Sequence, residues 1–202
     1  MNNAQVTFIH ELGHHVANEL SYHLFDYNGK TLSISLYPSK HGNFFDGKTV
    51  CSNPIKDAHS KENYPIEYVR MYYGCLFECL YREIKIEKCL CSMATQSDLK
   101  ANLCTGRHDY YQMYDISIKP EVKNRFSWWR YLTVEYFNLM KTKKDEFGDI
   151  FQLRVQDLAA KTDIESWEID VCELNIRIES FLSKHKNDYT LAVKKLTQLN
   201  KH

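Results

Sequence analysis

The 202-residue chain has only 7 glycines and 4 prolines. So few breakers cannot supply the dense turns of an all-β protein, and helix is expected to dominate. A surplus charge of one sign is also missing, with 26 Lys and Arg against 26 Asp and Glu and no basic arm or acidic tail. Bulk electrostatics therefore selects neither nucleic acid nor an anionic membrane as a partner. Long apolar runs are lacking too. The most hydrophobic stretch, 68–81, is interrupted by Arg70 and Glu78 and falls short of the about 20 residues that span a bilayer. The N-terminus has no basic residue followed by an apolar run and a small-residue cleavage site, so no secretion signal is expected. Seven cysteines, an odd number in a chain long enough to fold without staples, point to free thiols in a reducing compartment. Together these absences predict a soluble, cytoplasmic protein.

What is present is helical periodicity around one short β segment. Asn2 or Asn3 can cap a first helix along which Ile9, Leu12, Val16 and Leu20 recur at spacings of three and four, and which is expected to stop near Tyr22. Leu32, Ile34 and Leu36 then alternate with Ser33 and Ser35, the period of two of a half-buried strand, until Pro38 and Gly42 break it. A returning strand around 48–51 completes a ribbon whose edge near Ile34 offers itself to an extended substrate backbone. Pro65 suits the first turn of a helix through Tyr68, Met71, Tyr72, Leu76 and Leu80, and Ser97 or Asp98 can start another. The stretch 105–124, with Gly106, Pro120 and several tyrosines, reads as an irregular connection. The remainder reads as helical, with Trp167, Val171, Leu174, Ile178 and Phe181 as a core stripe. The expected fold is mainly α with a small antiparallel β-ribbon (α+β), a core over 1–120 and a helical C-terminal part over 121–202 packed on it.

His10-Glu11-Leu12-Gly13-His14 places an H-E-x-x-H sequence on the first helix. Residues i and i+4 lie one turn apart on one face, so both imidazoles can reach a single tetrahedral metal ion. Glu11, beside them, can take a proton from a metal-bound water, which is hydrolytic chemistry. Gly13 costs a helix about 1 kcal/mol relative to alanine, which implies another backbone approaching closely there. His15 points about 100° away from His14 and reads as structural. A catalytic zinc needs a third protein ligand. His23, His41, Glu67, Glu78, Glu83, Asp98 and His108 are all chemically eligible, and spacing does not choose among them.

Phe8-Ile9-His10-Glu11-Leu12-Gly13-His14-His15-Val16 resembles the active-site helix of the zinc peptidase domain of the ATP-dependent protease FtsH, which also carries a glycine before the second histidine. Leu32 to Pro38 followed by Gly42 is similar to that family's strand-and-glycine segment. Tyr73-Gly74-Cys75-Leu76-Phe77-Glu78-Cys79-Leu80 resembles its glycine-led helix, with Cys75 in place of an arginine. Thr95-Gln96-Ser97-Asp98-Leu99 is similar to the segment whose aspartate is the third zinc ligand, so the resemblance assigns that role to Asp98. It covers roughly residues 5–105, with a fainter likeness over 181–196, and includes neither a membrane anchor nor an ATPase module. It implies a zinc metallopeptidase with His10, His14 and Asp98 on the metal, Glu11 as general base, and a peptide or unfolded protein as substrate.

Two other patterns compete for attention. Gly42-Asn43-Phe44-Phe45-Asp46-Gly47-Lys48-Thr49 satisfies the P-loop pattern, but Pro54 would break the helix a P-loop must open. Gly42 and Gly47 instead read as turn residues of the ribbon. Cys75 and Cys79 share a helix face near Cys89 and Cys91, as buried thiols or as a second, structural zinc site. The principal alternative function is a non-catalytic binding protein that keeps the metal as a clamp and recruits a partner through its C-terminal helices.

Overall fold

The computed structural model describes residues 3–27, 29–40, 45–52, 60–90, 106–162 and 166–201. Helix α1 (Asn3–Phe25) is followed by strands β1 (Thr31–Pro38) and β2 (Phe45–Cys51), then by α2 (Tyr64–Arg82) and a 3-10 turn at Ile86–Lys88. After these come α3 (Arg107–Ser117) and α4 (Arg125–Arg130), which runs through a π-helical stretch (Tyr131–Tyr136) into α5 (Phe137–Thr142). The short helices α6 (Gly148–Phe151) and α7 (Val155–Leu158) precede β3 (Ala159–Thr162), β4 (Trp167–Ile169) and the long α8 (Val171–Leu199). The fold is mainly α with a small antiparallel sheet.

Helix α1 runs through the centre. Its stripe of Ile9, Leu12, Val16 and Leu20 is buried as the periodicity requires, and the rest of the helix is buried as well from Ala4 to Ser21. A polar side chain placed so deep must find partners, and the other face of α1 does. Gln5 donates to the Leu153 carbonyl at 2.8 Å, Thr7 to the Phe45 carbonyl at 3.0 Å, and Glu19 accepts from the Thr31 amide at 3.1 Å. His15 bridges Thr31 and Asn175, both at 2.9 Å, which gives it the structural role expected of it. Helix α2 begins with Pro65 in its first turn and ends on Glu83 in the left-handed region, φ 57°. It packs along α1, and the close approach that Gly13 implied is present: a Cβ there would stand 2.3 Å from the Tyr73 carbonyl oxygen.

The sheet differs from the expected ribbon. Its order is β2-β1-β4-β3, antiparallel throughout, so the C-terminal part contributes two strands and is not wholly helical. Trp167 belongs to β4, and α8 begins after Asp170, whose side chain accepts the Glu173 amide at 3.0 Å. The helical stripe therefore starts at Val171, because the Asp170 cap sets the boundary. Ile34 pairs with Thr49 on one side and Ile169 on the other, so β1 has no open edge near Ile34 for a substrate. Among the described residues the open edges are those of β2 and β3. Leu32 is 61% exposed, because the register shifts between Thr31 and Ser33 and the irregularity turns Thr31 inward in its place. Gly47 is a strand residue opposite Leu36, not a turn residue, and Lys48 and Thr49 continue β2 without opening a helix. The span 107–117 is helix α3, whereas an irregular connection was expected. Asn2, Gly42 and the 95–99 segment lie outside the described residues.

Candidate metal centre

The two histidines of the H-E-x-x-H sequence lie on the face of α1 that meets α2, with ring centroids 4.9 Å apart. Their outer nitrogens are both engaged. His14 Nδ1 donates to the Arg70 carbonyl at 3.3 Å, and His10 Nδ1 donates to Glu78 Oε2 at 3.1 Å. Fixing the proton on Nδ1 leaves each Nε2 with a lone pair, and these face one another at 3.2 Å. A third acceptor joins them from α3. Asp109 Oδ2 lies 2.8 Å from His10 Nε2 and 3.3 Å from His14 Nε2.

Three lone pairs directed at one another repel unless a cation lies between them, either a proton or a metal ion. The spacings admit both, since 2.8 Å is also the length of a hydrogen bond from a protonated His10 Nε2 to Asp109 Oδ2. Ligands bonded at about 2.0–2.1 Å in a tetrahedron stand about 3.3 Å apart, close to the 2.8–3.3 Å found here. His10, His14 and Asp109 are all buried, and together they can hold a metal ion. The protonation tendencies have the same origin. For His10, burial works against charge, but the hydrogen bonds to Asp109, Cys89 and Glu78 outweigh it and raise its pKa well above 6.5. For Asp109, burial works the other way, yet charge on His14 and hydrogen bonds from both imidazoles hold its carboxyl well below the usual range. Burial and the neighbouring Cys89 push Glu78 up to about 7.

Backbone makes room for this arrangement. A Cβ on Gly74 would stand 2.4 Å from His14 Nε2 and 2.7 Å from His10 Nε2, so only glycine lets α2 form the floor of the site. Glu11 lies on the opposite flank, between α1 and β2. Thr49 Oγ1 donates to its Oε2 at 2.8 Å, and a Cβ on Gly47 would stand 2.6 Å from its Oε1. The Gly47 and Thr49 of the P-loop-like sequence thus seat a carboxylate.

The other eligible residues are placed elsewhere. His23 is exposed in the last turn of α1 beside Glu19, and His108 is exposed and bonded to Gln112. Glu67 pairs with Arg70, and Glu83 pairs with Lys144. Glu78 orients His10 from behind. His41 and Asp98 lie outside the described residues, so the carboxylate found at the imidazoles is Asp109, which was not among the sequence candidates. One signal for it existed. Asp109, Met113 and Ile116 recur at i, i+4 and i+7, the inward face of a helix, and all three are buried. Comparisons with protein families, curated proteins and solved structures find no match for the chain.

Proposed function

We propose that the protein is a zinc-dependent peptidase of FtsH-like type, with His10, His14 and Asp109 as the protein ligands and Glu11 as general base. The observation that carries the reading is the convergence of two Nδ1-anchored imidazoles and one carboxylate, with Glu11, next to His10 in sequence, seated separately by Thr49. A nitrogen-and-oxygen donor set with three protein members suits zinc in a catalytic role. A bound zinc supplies a Lewis acid for the scissile carbonyl and lowers the pKa of a coordinated water. Glu11, its Oε2 held by Thr49, would accept the proton of an attacking water on Oε1 and return it to the leaving amine. Asp109 neutralises charge at the site, and Glu78 and the Arg70 carbonyl keep both rings aimed. The outer edge of β2 runs beside Glu11 and is where an extended peptide would add as a further strand. The resemblance of α1 to the FtsH active-site helix supports the same reading. No helix of the described residues is long and apolar enough to cross a membrane, and the substrate proposed is a peptide or an unfolded protein in the cytoplasm.

Burial of all three ligands and of Glu11 favours one rival, a metal-clamped binding protein. Glu11→Gln separates the two. The native protein is expected to cleave an unfolded substrate, and the variant to keep its zinc while losing about 10²–10⁴-fold in rate, the usual worth of a positioned general base. Equal inactivity of both zinc-loaded proteins on a broad panel of unfolded substrates would leave the clamp.

A further inference from the structure

Helix α3 delivers Asp109 to the histidines, and it also walls a cleft that the peptidase chemistry does not use. A cavity of about 390 Å³ opens between α2, α3 and α4, with the buried Tyr68 and Met113 at its base and the half-buried Tyr110 and Trp129 as walls. Beside it the turn 118–124 lines a second cavity of about 340 Å³, and the two share Ser117, Arg125 and Phe126. Apolar character continues onto the rim, where Phe126 is 75% exposed and Tyr114 and Ile118 are nearly half exposed. Most large apolar side chains of this protein are in the core, and a concave aromatic patch left open to water is the usual mark of a binding surface.

The charge of the cleft is one-sided. Lys119, Lys123 and Arg125 line it and no carboxylate does, since Asp115 and Glu121, close by in sequence, are exposed outside the lining. The ion pairs of lysine and arginine among the described residues use other cations, so none of these three is neutralised by one. In a chain with 26 basic and 26 acidic side chains, that is a local surplus of positive charge. The turn that carries it is also held in place. Asn200, at the end of α8, accepts the Lys123 amide at 2.9 Å and donates to the Glu121 carbonyl at 2.9 Å, and Asn124 donates to the Leu199 carbonyl at 3.2 Å. Cations on a fixed backbone cost a ligand less ordering entropy.

We propose that this cleft docks an acidic peptide segment of another protein, with one large apolar side chain in the aromatic cavity and neighbouring carboxylates on Lys119, Lys123 and Arg125. The unpaired cations set the sign of the partner, and the cavity sets its anchor. Aromatic and arginine side chains around a pocket are the types that carry most of the binding energy at protein interfaces. The rings of Tyr110 and Trp129 lie 5.8 Å apart at 86°, so they form two walls of a box and not the parallel platforms on which successive bases stack, which favours a peptide over single-stranded RNA. The inference stands apart from the peptidase reading, since it holds whether the docked segment belongs to a substrate or to a partner that is not cut.

The test is fluorescence anisotropy of a labelled short peptide, a single Phe flanked by Glu in a Gly-Ser background, titrated with the full-length native chain and with Glu11→Gln so that cleavage is not mistaken for release. Saturable binding is expected with both proteins, weakening as salt rises because the cations contribute. Replacing the peptide's Phe with Ser, or its Glu with Gln, should each weaken binding about tenfold or more, as should Arg125→Glu and Phe126→Ala, both at exposed positions that folding does not depend on. Absence of saturable binding to the native protein would overturn the proposal, and so would equal affinity for the Ser or Gln peptides, neither of which depends on a variant. Binding of a labelled single-stranded RNA or of phosphatidylserine vesicles, with the acidic peptide left unbound, would overturn it as well. A peptide bound by both proteins and cut by neither would uphold the docking site while counting against the peptidase reading.

Discussion

At the scale of single residues, the site depends on side chains that are missing as much as on those present. Gly74 is the sharper case, because a methyl there would collide with both metal-facing nitrogens. Gly74→Ala is expected to lose the zinc of the histidine site, seen as one equivalent fewer by elemental analysis against the native protein. Gly47→Ala should behave differently, since the three atoms nearest its methyl all belong to Glu11. The expected result is native zinc content with peptide cleavage reduced about 10²-fold or more as the base is displaced. A Gly47→Ala enzyme with native kcat and KM would show that Glu11 does not act from this seat. His10, Glu11 and His14 were legible in the sequence because a helix makes four-residue spacing a statement about space. Asp109 was not, since it reaches His14 across 95 residues of chain, and its periodicity with Met113 and Ile116 marks an inward helix face but not the contact. Glu78 was among the chemically eligible ligands and also fell in the family-like helix, but its position behind His10 is that of a ring-orienting partner.

At the scale of elements, the meeting of α1 with α2 sets the ligand geometry. Gly13 of α1 rests on the Tyr73 carbonyl, and backbone on the opposing helix cannot yield as a flexible side chain does. Gly13→Ala gains helix propensity but overpacks the contact, and a net loss of about 1–3 kcal/mol is expected in denaturant unfolding. An unchanged or raised midpoint would mean that the helices can part without cost. The order α1, β1, β2, α2 was readable from periodicity and from Pro65, because those signals are local. Strands β3 and β4 escaped, being only 4 and 3 residues long, too short to display a period. Helix α3 escaped because Gly106 and Pro120, which punctuate its two ends, were read as properties of the stretch between them.

At the scale of the whole molecule, the centre is a buried assembly of charge that could hold a metal ion. In the metal-free protein His10 holds its proton above pH 6.5, so its contribution to stability is fully present below that pH and is lost as pH rises through the raised value. Asp109 acts in the opposite sense: depressed below 3.8, its contribution is present above that pH and is lost only as pH falls through the lowered value. Metal-free protein is thus expected to be most stable between those limits and to weaken toward alkaline pH, where zinc, no longer competing with the His10 proton, should stabilise most. Thermal unfolding from pH 5 to 9 with and without zinc checks this, and a zinc increment that shrinks as pH rises would contradict it. The sheet also joins the two halves expected from the sequence, since β1 from the first pairs with β4 from the second. The most direct measurement is the zinc content of the native chain, Asp109→Ala and Asp98→Ala, purified identically and exchanged against the same weak chelator. Asp109→Ala should carry one equivalent fewer than the native protein, and Asp98→Ala the native amount. Full zinc in Asp109→Ala, with the loss in Asp98→Ala instead, would contradict the assembly of the site described here.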